Sequence, residues 1–320
     1  MSAVPILSSH TPVTVRRVGM ERLREALGWA LGRQATCAID NVLRSNASGQ
    51  LILDGVWIAE QGGAAAGGVV RSLGRDRVAQ LWEPGGRSTL VCDALQQVAV
   101  DESIADGAVF CQLLTATTPR SLQAITHYCD LLILARDVPA VDLPVRSSRL
   151  IYTSIGATSP GLTALLSRTF IGSSDAAGLH HLQTAAQSAA GLHDVGDSGD
   201  RFWLMAMLDD RPVGLLLLAE HKEMAAWEIA YLGLVPEVRG RGFGRELVRE
   251  AVASVARSGG GLAFLAVDSG NDVARHVYGR AGFAIVDGKQ VWIDQAAAAK
   301  IATVERLGGS SAPPAGAQAR

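Results

Sequence analysis

An internal repeat constrains the fold most, because one order of predicted elements occurs twice along the 320 residues. The first half predicts strand 13–18, helices 20–31 and 35–44, strands 55–60, 68–71 and 78–82, helix 89–104, strand 109–115, a helix opened by Pro119 and strand 131–136. The second half predicts strand 150–155, helices 161–170 and 177–190, strands 202–208, 213–220 and 227–235, a helix to 257, strand 262–268, helix 272–281 and strands 283–286 and 290–293. The sequence therefore predicts two related α/β domains.

Proline and small residues mark the predicted boundaries. The segment 137–149, with prolines at 139 and 144, is typical of a linker, so we expect domains at residues 1–145 and 146–298. Residues 299–320 should form a helical extension followed by a disordered tail from Gly308, because small residues and proline dominate that tail.

Composition narrows the function classes. A hydrophobic content of 48% with 19% charged residues is typical of a packed globular protein. The net charge of -2 argues against nucleic-acid binding, which needs a basic surface. We see neither an apolar run of about 18 residues nor a signal peptide, so we expect a cytoplasmic protein without a membrane partner. Oligomeric state cannot be predicted.

Cysteines do not indicate a metal site. Cys37, Cys92, Cys111 and Cys129 lack both the CxxC pattern and a histidine at zinc-ligand spacing. We interpret them as reduced core residues, and we predict no metal.

Chemistry is indicated by the segment Trp227–Leu247, in which an apolar strand enters the sequence R-G-R-G-F-G and then a helix. Unpaired N–H groups at a helix start carry the positive end of the helix dipole, and glycines let an anion approach the backbone. Such a turn suits a pyrophosphate. Taken alone, it could equally be an ordinary helix entry or a different nucleotide loop.

Two motifs in this half resemble those of the GNAT superfamily of N-acetyltransferases. Arg239, Gly242 and Gly244 match motif A, R/Q-x-x-G-x-G/A. Asn271 and Tyr278, seven residues apart and followed by Ala281-Gly282-Phe283, match motif B. The resemblance covers nearly the whole second half and identifies it as a member of that superfamily.

The resemblance implies two tandem GNAT-like domains, each a mixed, mostly antiparallel central sheet flanked by helices, with acetyl-CoA as co-substrate. The central strands should separate in a V that admits the pantetheine arm. The residues implied in binding acetyl-CoA are Leu232, Gly233, Leu234, Arg239, Gly240, Arg241, Gly242, Phe243, Gly244, Arg245 and Asn271.

The resemblance also suggests catalytic residues. Acyl transfer to an amine needs a base for the ammonium proton and an acid for the departing thiolate. Tyr278 stands where the family often has its acid, and Glu228 stands where histone-acetylating members have their glutamate. Other groups are open as the base, namely Glu220, Glu223, Glu237, His180, His181 and His221.

The first half lacks these motifs. After Trp82 it reads E-P-G-G-R-S-T-L, without the R-x-x-G-x-G spacing. Aligning 129–131 with 281–283 places Thr126 opposite Tyr278, so no phenol is present. We therefore expect the first half to keep the fold without binding acetyl-CoA productively.

The predicted activity is transfer of an acetyl group to a primary amine of a small molecule or a protein. Two alternatives remain, a non-catalytic acyl-CoA-binding or sensor protein and an acyltransferase with another donor. The sequence does not identify the acceptor.

Overall fold

The structure, a computed structural model, describes residues 11–32, 34–140, 148–174, 179–197 and 199–308. The strands are β1 Val13–Arg17, β2 Gly55–Gln61, β3 Ala64–Leu73, β4 Val78–Leu81, β5 Gly85–Gly86, β6 Phe110–Thr115, β7 Ile125–Val138, β8 Ile151–Ser154, β9 Phe202–Leu208, β10 Arg211–His221, β11 Ala226–Leu234, β12 Gly261–Asp268 and β13 Ala284–Asp294. The helices are α1 Leu23–Ala30, α2 Thr36–Ser48, α3 Thr89–Ala105, α4 Pro160–Phe170, α5 Ala185–His193, α6 Phe243–Arg257, α7 Asp272–Arg280 and α8 Gln295–Gly308.

The chain divides into two compact units. The first comprises Met1–Leu73 with Val78–Thr126, and the second comprises Gly74–Arg77 with His127–Arg320. The predicted domain boundaries after residues 145 and 298 describe segments that fold independently. Compact units do not test independent folding, so these boundaries stay predictions. Residues 141–147 of the predicted linker and 309–320 of the predicted tail lie outside the described residues.

The first unit has strand order β1-β2-β3-β4-β6, and β5 also pairs with β3. The neighbours from β1 to β4 are antiparallel, whereas β4 and β6 are parallel. Helix α1 packs on this sheet through Ala26 and Leu27, which are fully buried with Ile58 and Val70 in one core cluster. The strands predicted at 55–60, 68–71 and 78–82 thus form an antiparallel meander.

The second unit has strand order β13-β7-β12-β11-β10-β9-β8. Residues Leu215–Leu218 of β10 are all fully buried, so both faces of this central strand are covered. The apolar side of α6, including Leu247 and Val255, completes the same core. This packing fixes the start of α6 near the end of β11, where the predicted site lies.

Three predictions in the region 119–136 are wrong or incomplete. The helix opened by Pro119 is absent, because buried Ser121 accepts a hydrogen bond from the Gln123 N–H at 3.2 Å and stabilises a turn. Strand β7 then begins at Ile125, so residues 129–131 are extended whereas Ala281–Phe283 close a helix. The alignment of Thr126 with Tyr278 therefore fails.

Strand β7 also has an unexpected partner. It pairs antiparallel with β12 from Leu131 to Val138, although it was predicted to end the first half. The two strands predicted at 283–286 and 290–293 form the single strand β13. Among the described helices, none is long and apolar enough to cross a membrane.

Candidate active site

The strands β11 and β12 pair for only part of their length. They are parallel neighbours from Ala226, opposite Leu262, to Glu228, opposite Phe264. Beyond Glu228, β11 continues to Leu234 and β12 continues to Asp268, but the described residues form no further pair between them. The central sheet therefore opens immediately after Glu228, as the resemblance predicts.

A β-bulge lies at the start of this opening. Ile229 pairs with Leu218 of β10 and Tyr231 pairs with Leu217, so Ala230 is an extra residue on β11. A bulge bends its strand and increases the local twist, which helps β11 turn away from β12. The other edge of β11 stays paired with β10 through Leu232, Gly233 and Leu234. Their predicted contact with pantetheine stays a prediction.

The turn between β11 and α6 leaves space beside its glycines. Gly240 and Gly242 have φ values of +73° and +88°, which favour glycine. An added Cβ at Gly240, Gly242 or Gly244 would meet nothing within 4 Å. Helix α6 starts after Gly242 without a side-chain cap, and the N–H groups of residues 240–244 donate to no described residue. This arrangement fits an anion such as the CoA pyrophosphate.

Arg239 binds backbone carbonyls. Its guanidinium donates to Leu234 O at 3.0 Å, Thr169 O at 2.8 Å, Gly172 O at 2.8 Å and Ile171 O at 2.6 Å. A cation suits the carbonyl end of α4, and these bonds join that end to the end of β11. Arg239 thus has a positioning role, and its predicted contact with acetyl-CoA stays a prediction.

Two further arginines contact the ring of Phe243, the first residue of α6, next to the glycine turn. The guanidinium carbons of Arg241 and Arg149 lie 5.4 and 5.3 Å from the centroid of the buried Phe243 ring. Glu246 anchors the chain at Arg149 by accepting its backbone N–H at 3.1 Å. Sequence reasoning missed Arg149, which lies outside both motifs. Arg245 is exposed and stays a predicted ligand.

The motif B residues lie on α7, directly after β12. Tyr278 is 92% buried, with its ring edge-on to Phe283. Asn271 is the N-cap of α7, and its Oδ1 accepts the Ala274 N–H at 3.1 Å. This capping bond leaves the Asn271 amide nitrogen as the group that could contact pantetheine. The catalytic role of Tyr278 also stays a prediction.

Glu228 has a partner that the sequence did not reveal. His221 Nε2 lies 2.9 Å from Glu228 Oε2, and each side chain is about one quarter exposed, at 26% and 25%. The His221 ring also contacts Phe264 of β12, with the rings tilted by 42° at a centroid distance of 5.4 Å. The hairpin register was the available signal, because Ala226 pairs with His221 and Glu228 is therefore its diagonal neighbour.

One competing base has a different setting. Glu237 is 65% exposed, and its own backbone N–H and Arg168 hold the pKa of its carboxyl below the ordinary value. It is thus a weaker base than an unpaired glutamate. Within the described residues, no group of three or more His, Cys, Asp or Glu side chains could hold a metal ion.

Comparisons with known proteins agree with this geometry. Residues 164–283 match the model of the acetyltransferase (GNAT) family. A comparison with curated proteins finds no match.

Solved structures share the fold at low identity. A GCN5-related N-acetyltransferase from Sphaerobacter thermophilus is 17% identical, with a TM-score of 0.54 over 88% of this chain and 95% of that chain. A tandem GNAT protein from the clavulanic acid biosynthesis pathway is 14% identical, with a TM-score of 0.53 over 88% and 98%. The tandem GNAT-like α/β fold is therefore confirmed, and residues 164–283 of the second half are similar in sequence to the acetyltransferase (GNAT) family.

Proposed function

We propose that this protein is an acetyl-CoA-dependent N-acetyltransferase that acetylates a primary amine of a small molecule or a protein in the cytoplasm. The observation that carries the proposal is the open glycine turn at the uncapped start of α6, beside the separated strands β11 and β12. Pyrophosphate on this turn would leave the pantetheine arm free to run along the unpaired edge of β11 toward Glu228.

The proposed roles follow from where the groups lie. Acetyl-CoA supplies an activated thioester. The N–H groups of residues 240–244 bind the pyrophosphate, and Arg239 holds the end of β11 against α4. Backbone groups of Leu232–Leu234 orient the arm. Tyr278, on the helix after β12, protonates the departing thiolate, while the pair of Glu228 and His221 lies at the point where the strands separate.

Calorimetric titration with acetyl-CoA tests the site. We expect wild type to bind one equivalent and Gly242→Glu to abolish binding, because a carboxylate would repel the pyrophosphate. Gly49→Glu is a matched control. Gly49 ends α2 with φ +78° and has equally open space around its Cβ position, so it shares the backbone strain without the site.

The outcomes separate the candidate functions. Binding by wild type and Gly49→Glu but not by Gly242→Glu supports the site. Binding without transfer to any primary amine would support a non-catalytic acyl-CoA-binding protein, and transfer from longer acyl donors only would support another acyltransferase. Absence of binding by folded wild type would refute the proposal.

A further inference from the structure

We propose that His221 is the general base of the transfer reaction, with Glu228 as the group that orients its imidazole. This inference rests on the proposed acetyltransferase function and concerns the same site. It replaces the predicted base, Glu228, by its hydrogen-bond partner.

The contacts around His221 restrict its orientation. Glu228 Oε2 lies 2.9 Å from Nε2, and the ring packs at a tilt against Phe264. The two strands carrying His221 and Glu228 are joined by a tight connection at 222–225, in which Ala225 is left-handed with φ +46°. The imidazole is therefore held by a carboxylate at one nitrogen and by contact with a neighbouring aromatic ring.

The contact with Glu228 determines which nitrogen can act. A carboxylate only accepts hydrogen bonds, so it favours the tautomer with the proton on Nε2. Nδ1 is then an acceptor, and among the described residues it receives no hydrogen bond. His221 remains 26% exposed, so an acceptor amine or a bridging water can reach it.

The pair lies where an acetyl group would arrive. Glu228 is the last residue of β11 that pairs with β12, opposite Phe264. From Glu228 to Leu234, a strand rises about 20 Å at ~3.3 Å per residue, so the pair and the glycine turn lie at opposite ends of the open edge. An extended arm anchored at the turn would thus direct its thioester toward His221.

The proton and electron balance is complete without another reactant. The acceptor ammonium transfers one proton to His221 Nδ1, directly or through one water, and the free amine attacks the thioester carbonyl carbon. A C–N bond forms and the C–S bond breaks, with its electron pair leaving on sulfur. Tyr278 protonates the sulfur and regains a proton from the attacking nitrogen. His221 then releases its proton to solvent, so the products are the amide, CoA thiol and one proton.

An imidazole suits this step better than a carboxylate alone. Imidazole changes protonation state near neutral pH, where an acceptor amine is still protonated and must be deprotonated for attack. The carboxylate of Glu228 stabilises the imidazolium that forms, as in other base–carboxylate pairs. The arrangement therefore assigns proton transfer to His221 and orientation to Glu228.

The test compares His221→Gln, Glu228→Ala and the double variant. Acetylated product is quantified by mass spectrometry with glucosamine, spermidine, 2-phenylethylamine and a lysine-containing peptide as probes, and acetyl-CoA binding is measured separately. His127→Gln is the matched control, because His127 Nε2 lies 2.9 Å from Asp130 Oδ1 in a second histidine–carboxylate pair of this unit.

General-base removal should lower kcat by about 10²-fold to 10⁴-fold in His221→Gln, with Kd for acetyl-CoA unchanged. Glu228→Ala should lower kcat by a smaller factor. The double variant should have the same kcat as His221→Gln, because the two residues act as a unit. His127→Gln should retain wild-type kcat. Nitrogen-15 NMR of wild type should show the neutral tautomer with Nε2 protonated.

Three results would overturn the assignment while leaving the acetyltransferase function intact: a kcat of His221→Gln equal to that of His127→Gln, a larger loss in Glu228→Ala than in His221→Gln, or a proton on Nδ1. Failure of wild type to bind acetyl-CoA or acetylate any probe would instead refute the proposed function, and with it the role of His221.

Discussion

The glycine segments before α3 and α6, which are strand β5 in the first half and the turn with Gly240 and Gly242 in the second, occupy corresponding positions but differ in packing. In the first half, a Cβ added at Gly85 would lie 1.7 Å from Trp29 O, so α1 leaves no space beside this segment. In the second half, a Cβ added at Gly242 or Gly244 would meet nothing within 4 Å. Glycine thus permits close packing in one half and leaves space for a ligand in the other.

The N-termini of the two helices that follow, α3 and α6, differ in the same way. Ser88 caps α3, because its side chain accepts the Val91 N–H at 3.3 Å. Helix α6 begins after Gly242 without a side-chain cap. A serine side chain therefore occupies the start of α3, whereas no side chain occupies the start of α6, which leaves space there for an anion.

Strand pairing completes the comparison. All of β4, from Val78 to Leu81, pairs with β6, whereas β11 leaves β12 after Glu228. A ligand arm can add to a sheet only where a strand edge is unpaired. These differences support the expectation that the first half does not bind acetyl-CoA, which stays a prediction.

The largest expected effect is on stability, and it comes from comparing a glycine needed for packing, Gly85, with one beside the proposed binding site, Gly244. Gly85→Ala should lower the free energy of unfolding by at least about 4 kcal/mol, because Trp29 O leaves no room for the methyl group. Gly244→Ala should leave the free energy of unfolding unchanged or raise it by up to about 1 kcal/mol, since alanine favours the helical conformation. Acetyl-CoA affinity should fall about tenfold in Gly244→Ala, a loss of about 1.4 kcal/mol. Urea unfolding and calorimetry measure both quantities, and equal stability of the two variants would contradict the comparison.

A second pair of variants compares one arginine in each half, Arg71 and Arg239, whose hydrogen bonds connect different elements of the fold. Arg71 is 1% exposed and bonds Asp54 and Asp106, so Arg71→Met should lower the free energy of unfolding by about 2 kcal/mol. This is below the usual range for a broken buried pair because both carboxylates are about one third exposed. Arg239→Met should cost about 2 kcal/mol through its lost carbonyl bonds, and should also weaken acetyl-CoA binding.

Chemical denaturation and calorimetry distinguish these two arginine variants. Unchanged acetyl-CoA affinity in Arg239→Met would show that the bonds between α4 and β11 do not shape the site.

The capping residues allow a smaller test. Ser88→Ala should lower the free energy of unfolding by about 1 kcal/mol, because the Val91 N–H loses its side-chain acceptor and keeps only Ser88 O. Asn271→Asp keeps the capping oxygen but removes the amide donor, so stability should be retained while acetyl-CoA affinity falls about tenfold. Retained affinity would contradict the predicted pantetheine contact of Asn271.

The smallest effect concerns pH. Hydrogen bonds from Arg71 and Arg17 hold the pKa of Asp106 below its ordinary value of 3.8. Its contribution, under about 1 kcal/mol, is therefore present above pH 3.8 and is lost as pH falls through the lowered pKa. Urea midpoints of wild type and Asp106→Asn should differ at pH 7 and converge in acid. A difference between the two midpoints that grows in acid would contradict the predicted direction of the pH effect.

The sequence by itself determined most elements and the location of the glycine turn. Strand β9 was predicted with its observed bounds, Phe202–Leu208, and α6 was placed after the motif A glycines. These features are local, because side-chain periodicity and the need for positive φ at Gly240 and Gly242 are properties of neighbouring residues.

Only the tertiary structure decided which distant groups meet. Arg239 finds the carbonyls of α4, and β7 pairs with β12. His221 reaches Glu228 across a hairpin, and strand register rather than either residue's neighbours in the sequence sets that contact. Arg239 and Thr169 are 70 residues apart and meet only through packing of the whole unit, so no local pattern could specify that contact, whereas the contact of His221 with Glu228 depends on the register of one hairpin.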